Sequence, residues 1–196
     1  RKPRLISSKQ VSTRSSFSLL VAIHYDDCTN NCPFLRLSIH IFTAFPFFFS
    51  HVLVYNHKEY HACGDGSVKV IDPNTGRFST TLRGHKGFVD CMVIACDRLF
   101  TGSWDKTINV WALTDHHKLI GTLKSAKGKG AASLGKIFCL AADDGKVFSG
   151  GGLGVVQVWD ATTLNLIATL KGHTKDVKGI CIDNGKLFSV SMDRSI

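Results

Sequence analysis

The sequence predicts an all-β protein, and internal repetition is the observation behind that prediction. The segment "LFTGSWDKTINVW" (99–111) recurs further along the chain as "VFSGGGLGVVQVW" (147–159). A shorter copy, "LFSVSMDRSI" (187–196), follows near the end, and a weaker copy, "YHACGDGSVKVID" (60–72), lies upstream. A repeat of roughly 40–50 residues corresponds to one unit of four short antiparallel strands.

The residues around each copy predict the order of strands within the unit. "VDCMVIACDRLF" (89–100), "IFCLAADDGKVF" (137–148) and "VKGICIDNGKLF" (177–188) each contain an apolar run, a polar turn and a hydrophobic-Phe pair. The Asp-Gly and Asn-Gly dipeptides favour two-residue hairpin turns. A further turn and a fourth strand follow in "ALTDHHKLIGTLK" (112–124) and "DATTLNLIATLKGH" (160–173). The sequence therefore predicts a partial β-propeller of about 3.5 four-stranded blades.

The predicted propeller occupies residues 59–196 and follows an irregular N-terminal segment, residues 1–58. Its blades are expected at about 59–83, 84–124, 131–171 and 172–196, with the last one truncated. The chain does not begin with Met, so we expect it to be a fragment, and the missing blades to come from the rest of a longer protein.

Two long stretches resemble the WD40 repeat family. They are "LRGHKGFVDCMVIACDRLFTGSWDKTINVW" (82–111) and "VVQVWDATTLNLIATLKGHTKDV" (155–177), which contain the Gly-His pairs Gly84-His85 and Gly172-His173 and the Trp-Asp dipeptide Trp159-Asp160. The resemblance covers about residues 60–196. It implies a hydrogen-bonded structural tetrad in each regular blade, at His85, Thr101, Asp105 and Trp111 in the best blade and at His173, Ser189 and Asp193 in the last.

The chemistry of these residue types fits such a network. An indole N–H only donates and a carboxylate only accepts, whereas a hydroxyl and an imidazole do both and can link the two ends. A catalytic interpretation, with Thr101 as nucleophile and His85 as base, is the alternative. Because the same set recurs in the last repeat, and a catalytic site has no reason to recur along a chain, we predict no catalytic residues and no enzyme activity.

Two blades depart from the pattern. Leu153 stands where Asp105 stands, and "KSAKGKGAASLGK" (124–136) replaces the Gly-His loop, although Ser149 and Trp159 remain. The first blade has Ile71 in place of the tryptophan. Within that loop, "GAASLGKI" (130–137) matches the spacing of a phosphate loop, but Ile replaces the required hydroxyl residue and no helix is expected after it. No nucleotide and no other cofactor is predicted.

The segment "FLRLSIHIFTAFPFFFSHVLVY" (34–55) leaves three alternatives open. It has the length of a membrane span, but Arg36, His40, Pro46 and His51 count against a spanning helix. Its Phe-rich composition is typical of pyrimidine-rich codons before a splice acceptor, which favours translated intron with true coding sequence resuming near Asn56. A degenerate preceding blade is the third alternative. Membrane attachment is not expected.

Metal binding is not predicted either. Four residues in the N-terminal segment have a spacing that zinc could tolerate, but they lack a second Cys pair, so chance is favoured: His24, Cys28, Cys32 and His40.

Charge and cysteine usage bear on partners and compartment. The net charge is +9, but no basic run is interleaved with aromatic residues, so nucleic acid is not an expected partner. The cysteine count is seven, an odd number, and Cys91, Cys139 and Cys181 lie in predicted strands. Such buried thiols indicate a reducing compartment, cytoplasm or nucleus, rather than a disulfide framework.

The resemblance implies a non-catalytic scaffold that recruits partner proteins to a multiprotein assembly, with peptide segments bound on the propeller face. The alternative function is a regulatory or substrate-recruiting propeller tail of a larger enzyme, such as a ubiquitin ligase or a protein kinase. Trp104 and Met192, just before the turn aspartates, are the predicted partner contacts. For Trp104, packing against the neighbouring blade is the alternative.

Overall fold

The computed structural model describes residues 20–22, 38–40, 49–114, 116–124 and 135–196. The strands of this described part are β1 (Leu20–Ala22), β2 (Ser38–His40), β3 (Phe49–Tyr55), β4 (Lys58–Cys63), β5 (Ser67–Asp72), β6 (Arg77–Arg83), β7 (Val89–Ala95), β8 (Arg98–Ser103), β9 (Thr107–Ala112), β10 (Leu119–Lys124), β11 (Ile137–Asp143), β12 (Lys146–Gly151), β13 (Val155–Asp160), β14 (Leu166–Lys171), β15 (Val177–Asp183) and β16 (Lys186–Ser191). A single 3-10 turn, Gly152–Gly154, is the one helical element among these residues.

The strands form four antiparallel sheets in which each strand pairs with its sequence neighbour. The strand orders are β1-β2-β3-β4-β5-β6, β10-β9-β8-β7, β11-β12-β13-β14 and β15-β16. We call β3–β6, β7–β10 and β11–β14 blades 1 to 3, and β15–β16 with residues 192–196 blade 4. The predicted all-β fold of four-stranded propeller blades is confirmed, and the segment 99–111 spans β8 and β9 as predicted.

Blade 1 begins before the predicted boundary near residue 58. β3 pairs with β4 from Phe49↔Cys63 to Tyr55↔Lys58, so the boundary falls inside a hairpin. Val52 and Leu53 in β3 are buried in the sheet. The Phe-rich run next to β3 hid this strand, because its continuous apolar composition obscures strand periodicity.

Much of the N-terminal segment lies outside the described residues. His24, Cys28 and Cys32 lie outside the described residues, and so do residues 130–134 of the segment "GAASLGKI". In the described ranges, no helix is long and apolar enough to cross a membrane.

Two-residue hairpins connect the first and second strands of each blade. Both turn residues have positive φ in all four hairpins: Asn56-His57, Cys96-Asp97, Asp144-Gly145 and Asn184-Gly185. Positive φ at both central positions is the geometry that matches the right-handed twist of the paired strands. We call this end of the blades the hairpin end.

The first strands of successive blades lie side by side. β7 packs against β3 and β11, and β11 packs against β15, as propeller blades do around their axis. Glycines permit the close approach: a Cβ on Gly102 would lie 2.5 Å from Cγ2 of Ile137 and 2.6 Å from Sγ of Cys91. The core of buried residues therefore runs between blades rather than within one sheet.

Candidate interaction surface and blade networks

The four predicted tetrad residues of blade 2 form one chain of hydrogen bonds. Nε1 of Trp111 donates to Oγ1 of Thr101 over 3.0 Å, and that hydroxyl lies 2.8 Å from Nε2 of His85. Nδ1 of His85 lies 2.9 Å from Oδ2 of Asp105. The chain links β8, β9 and the loop before β7, so it ties together parts of the blade that are distant in sequence.

Every member of this chain is satisfied when the imidazole carries its proton on Nδ1. Trp111 then donates to Thr101, Thr101 donates to Nε2 of His85, and His85 donates to Asp105. The His85 side chain is only 1% exposed. A buried imidazole that is hydrogen-bonded on both sides is poorly placed to meet a substrate, and the contribution of this network to stability stays a prediction.

Asp105 also organises the turn between β8 and β9. It accepts hydrogen bonds from the backbone N–H of Lys86 and from both the N–H and the hydroxyl of Thr107. Burial alone raises the pKa of Asp105, but the bonds from Thr107, Lys86 and His85 together hold its pKa below the usual range.

Blade 4 repeats the arrangement. Nδ1 of His173 lies 3.0 Å from Oδ2 of Asp193, and Nε2 lies 2.9 Å from Oγ of Ser189. The hydroxyl of Ser195 and the N–H of Thr174 also donate to Asp193. The Ser195 hydroxyl, with these backbone donors and His173, holds the pKa of Asp193 well below its usual range.

Blades 1 and 3 hold only part of the network. In blade 3, Nε1 of Trp159 donates to Oγ of Ser149 over 2.9 Å, and Leu153 occupies the turn position of the aspartate with a left-handed φ of 74°. In blade 1, His61 stands where Thr101 stands in blade 2 and pairs with Glu59 at 2.9 Å. The missing members are those that are substituted in the sequence of these two blades.

A turn aspartate in blade 1 was not predicted from the sequence. Oδ1 of Asp65 accepts from the N–H of Ser67 at 3.0 Å and from its hydroxyl at 2.5 Å. Asp105 with Thr107, and Asp193 with Ser195, make the same pair of bonds. The available signal was the register of the repeats, which aligns Asp65 with Asp105.

Trp104 and Met192 occupy equivalent turns at the end opposite the hairpins, which we call the Trp104 end. Their exposed fractions are 41% and 56%. The N–H of Trp104 donates to the carbonyl of Phe88, and that of Met192 donates to the carbonyl of Asp176, so both turns are anchored in the same way.

Trp104 is partly packed against neighbouring residues and partly exposed to solvent. Its ring packs against Phe88 with centroids 5.1 Å apart, and Nε1 donates to Oδ2 of Asp90. Nζ of Lys136, from blade 3, lies 4.1 Å over the same ring. The side chain therefore contacts the neighbouring blade and still presents part of its surface to solvent, while partner contact stays a prediction.

No group of three or more potential metal-ligating side chains lies together among residues that the structure describes. Hydrogen bonds inside each blade hold the histidine, aspartate and hydroxyl side chains of the blade networks.

Comparison with protein-family models matches the WD domain, G-beta repeat (WD40), at residues 76–112 and 164–196. Two stretches of the chain therefore match the WD40 repeat. Strands β11 to β13 of blade 3 lie between these stretches, and the missing aspartate and altered loop of this blade agree with the weaker repeat that the sequence predicts there.

Curated relatives match the chain over part of their own length. A stretch of 138 residues is 26% identical to Kinesin-like protein KIF21A of Homo sapiens, covering 67% of this chain and 8% of that protein. Autophagy-related protein 16 of Arabidopsis thaliana is 28% identical over 79% of this chain and 29% of its own. U3 small nucleolar RNA-interacting protein 2 of Mus musculus is 32% identical over 53% of this chain and 23% of its own. The chain spans less than a third of each relative.

Solved structures share the fold. The crystal structure of RRP9 WD40 repeats matches with a TM-score of 0.60 and 20% identity, over 69% of this chain and 42% of that one. The computationally designed Ika4 protein matches with a TM-score of 0.63 and 23% identity, over 72% and 84% of the two chains. A chain of the Mitotic Checkpoint Complex covers 89% of this chain and 54% of its own, with a TM-score of 0.64 and 20% identity.

Proposed function

We propose that this chain is a non-catalytic protein-interaction scaffold whose partners dock on the Trp104 end. One contrast supports the proposal. His85, Thr101, Asp105 and Trp111 are tied to one another inside the blade, whereas Trp104, directly before Asp105, is half exposed. Polar groups that satisfy one another hold a framework, and exposed aromatic side chains on a rigid framework anchor interfaces.

The equivalent position in blade 4 adds to the proposal. Met192 is exposed beside Asp193, so the same turn presents a large apolar side chain in two blades. Met adapts to irregular partner surfaces, and Trp supplies a large contact area at a small cost in conformational entropy. A partner segment that lies along this end would touch both turns.

The alternative is that the repeats form a recruiting or regulatory part of a larger enzyme. The chain matches only a small part of the curated relatives, 8% in the case of the kinesin-like protein, and this small share supports the alternative. In either case the propeller recruits partner proteins. We propose the cytoplasm or nucleus as its compartment, since buried free thiols at Cys63, Cys91 and Cys139 suit a reducing environment.

Site-specific photocrosslinking tests the proposal. A photoreactive amino acid is placed at Trp104, at Met192 and, as a matched control, at Ile120, which is 41% exposed on the outer strand β10. The expected result is that the first two positions crosslink to the same partner protein and position 120 does not. Equal crosslinking at all three positions, or none at the Trp104 end, would contradict the proposal.

A further inference from the structure

A cavity of about 430 Å³ opens at the Trp104 end between blades 2, 3 and 4. It is lined by Trp104, Lys136, Phe138, Gly152, Asp176 and Lys178. This volume accommodates one or two side chains of a bound segment.

Gly152 contributes to the open space of the cavity because it carries no side chain. In the register of the repeats, it occupies in blade 3 the position that Trp104 holds in blade 2 and Met192 holds in blade 4. A Cβ there would meet its nearest neighbours at 3.5–3.6 Å, which is ordinary van der Waals contact. The backbone therefore accepts a side chain at 152, and the missing side chain leaves the space empty.

Two ammonium groups lie over aromatic rings at the rim. Nζ of Lys136 is 4.1 Å from the centroid of Trp104, and Nζ of Lys178 is 3.0 Å from that of Phe138. Cation–π contact holds each charge above an apolar surface. Both lysines are exposed, so a bound carboxylate could reach them.

The carboxylates nearby are already engaged. Oδ2 of Asp176 lies 3.3 Å from Nζ of Lys178, and Oδ2 of Asp90 accepts from Nε1 of Trp104. The turn aspartates of blades 1, 2 and 4 bind their own turns, and those of blades 2 and 4 also bind the network histidines. At this end Lys86, Lys106, Lys175 and Arg194 add positive charge without a salt bridge to a described carboxylate.

Nucleic acid fits this rim less well than a peptide does. Recognition of single-stranded nucleic acid uses aromatic faces on which bases stack. Phe88 and the ammonium of Lys136 pack on the ring of Trp104, and the ammonium of Lys178 covers the ring of Phe138. A side chain that enters the cavity needs no free ring face.

We propose that this cavity binds an acidic peptide segment, which inserts one apolar side chain above Gly152 and places its carboxylates on Lys136 and Lys178. The inference rests on the proposed function and narrows it to one chemical class of partner. The aromatic walls bury the apolar side chain, and the two ammonium groups select acidic flanks, so charge complementarity sets the specificity.

Selection from a random-sequence peptide display library on the whole 196-residue chain is the first test. The expected peptides carry one large apolar residue with aspartate or glutamate on both sides. Affinities of one selected peptide, and of oligouridine RNA as a second probe, are then measured by fluorescence anisotropy. Thermal melting followed by circular dichroism checks that each variant is folded.

Four variants separate the proposal from a structural role. Lys136→Glu with Lys178→Glu should weaken binding by at least roughly tenfold, and Gly152→Leu should do the same by filling the cavity. Asp176→Asn should strengthen binding, because it removes the internal competitor for Lys178. Lys186→Glu, the same charge change at the hairpin end, should leave the affinity unchanged.

Several outcomes would overturn the inference. If selected peptides are not acidic, or bind the double lysine variant as tightly, the inference fails while the proposed peptide-binding function stands. Tight oligouridine binding that is lost in the same variant would assign the rim to nucleic acid instead. If neither the library nor photocrosslinking yields any partner, the proposed function fails as well.

Discussion

The hydroxyl of Tyr60, on the second strand of blade 1, lies 3.0 Å from Nε2 of His117, in the last turn of blade 2. Both side chains are buried, and their ring centroids are 5.7 Å apart. Burial raises the pKa of Tyr60 to about 12, so the phenol stays protonated and donates to a neutral imidazole. This bond joins two blades through residues outside the repeated pattern.

The first prediction concerns pH. Burial, with the charges of Lys58 and His116, lowers the pKa of His117 below its usual value of about 6.5. The unfolded chain therefore binds a proton more readily than the folded one, and the free energy of unfolding should fall as pH drops below about 6.5. Urea unfolding across this range should show that His117→Asn flattens the dependence and that His116→Asn, in the exposed neighbour, does not. Equal slopes in all three proteins would contradict the assignment.

The second prediction concerns the blade 2 network. His85→Ala removes the imidazole that Thr101 and Asp105 both bind, and should lower the free energy of unfolding by about 1–3 kcal/mol. Lys86→Ala is the matched control, because it keeps the backbone N–H that binds Asp105 and removes only an exposed side chain. A double-mutant cycle of His85→Ala with Thr101→Val should give a non-zero coupling energy. Strict additivity would argue against a shared network.

The third prediction concerns contact between blades. Gly102→Ala places a methyl group within 2.6 Å of both Ile137 and Cys91 and should cost about 1–3 kcal/mol through overpacking. Gly172→Ala is the matched control, since no atom lies within 4 Å of its Cβ position. Adding Ile137→Ala should relieve part of the clash. If the two glycine variants are equally stable, the blades do not approach as closely as described.

The features that repeat along the chain are predictable from the sequence, and those that do not repeat are harder to predict. The strands β8 and β9, the Asx-Gly hairpins and the His85 network follow from one register applied to several copies. Asp65 was within reach of the same register, but Ile71 in place of the tryptophan makes blade 1 a weak copy and hides its turn.

The remaining features depend on packing between blades. The Tyr60 to His117 bond and the bonds from Nη1 of Arg98 to the carbonyls of Ala161 and Thr162 cross from one blade to the next. Alignment of the repeats compares each blade with its copies. It carries no information on which side chains of two neighbouring blades contact each other. The position of β3 was hidden for a different reason, because its apolar run has no alternation that distinguishes strand from other buried structure.

The central claim is that the Trp104 end binds partners while the His85 network holds the blade. One pair of variants tests it most directly, with affinity for a display-selected peptide and unfolding free energy measured on both. Trp104→Ala should weaken binding by roughly tenfold and leave the protein folded, although it removes the ring contact with Phe88 and the hydrogen bond to Asp90. His85→Ala should lower the unfolding free energy by about 1–3 kcal/mol and leave the folded protein able to bind. Full binding by Trp104→Ala would contradict the account.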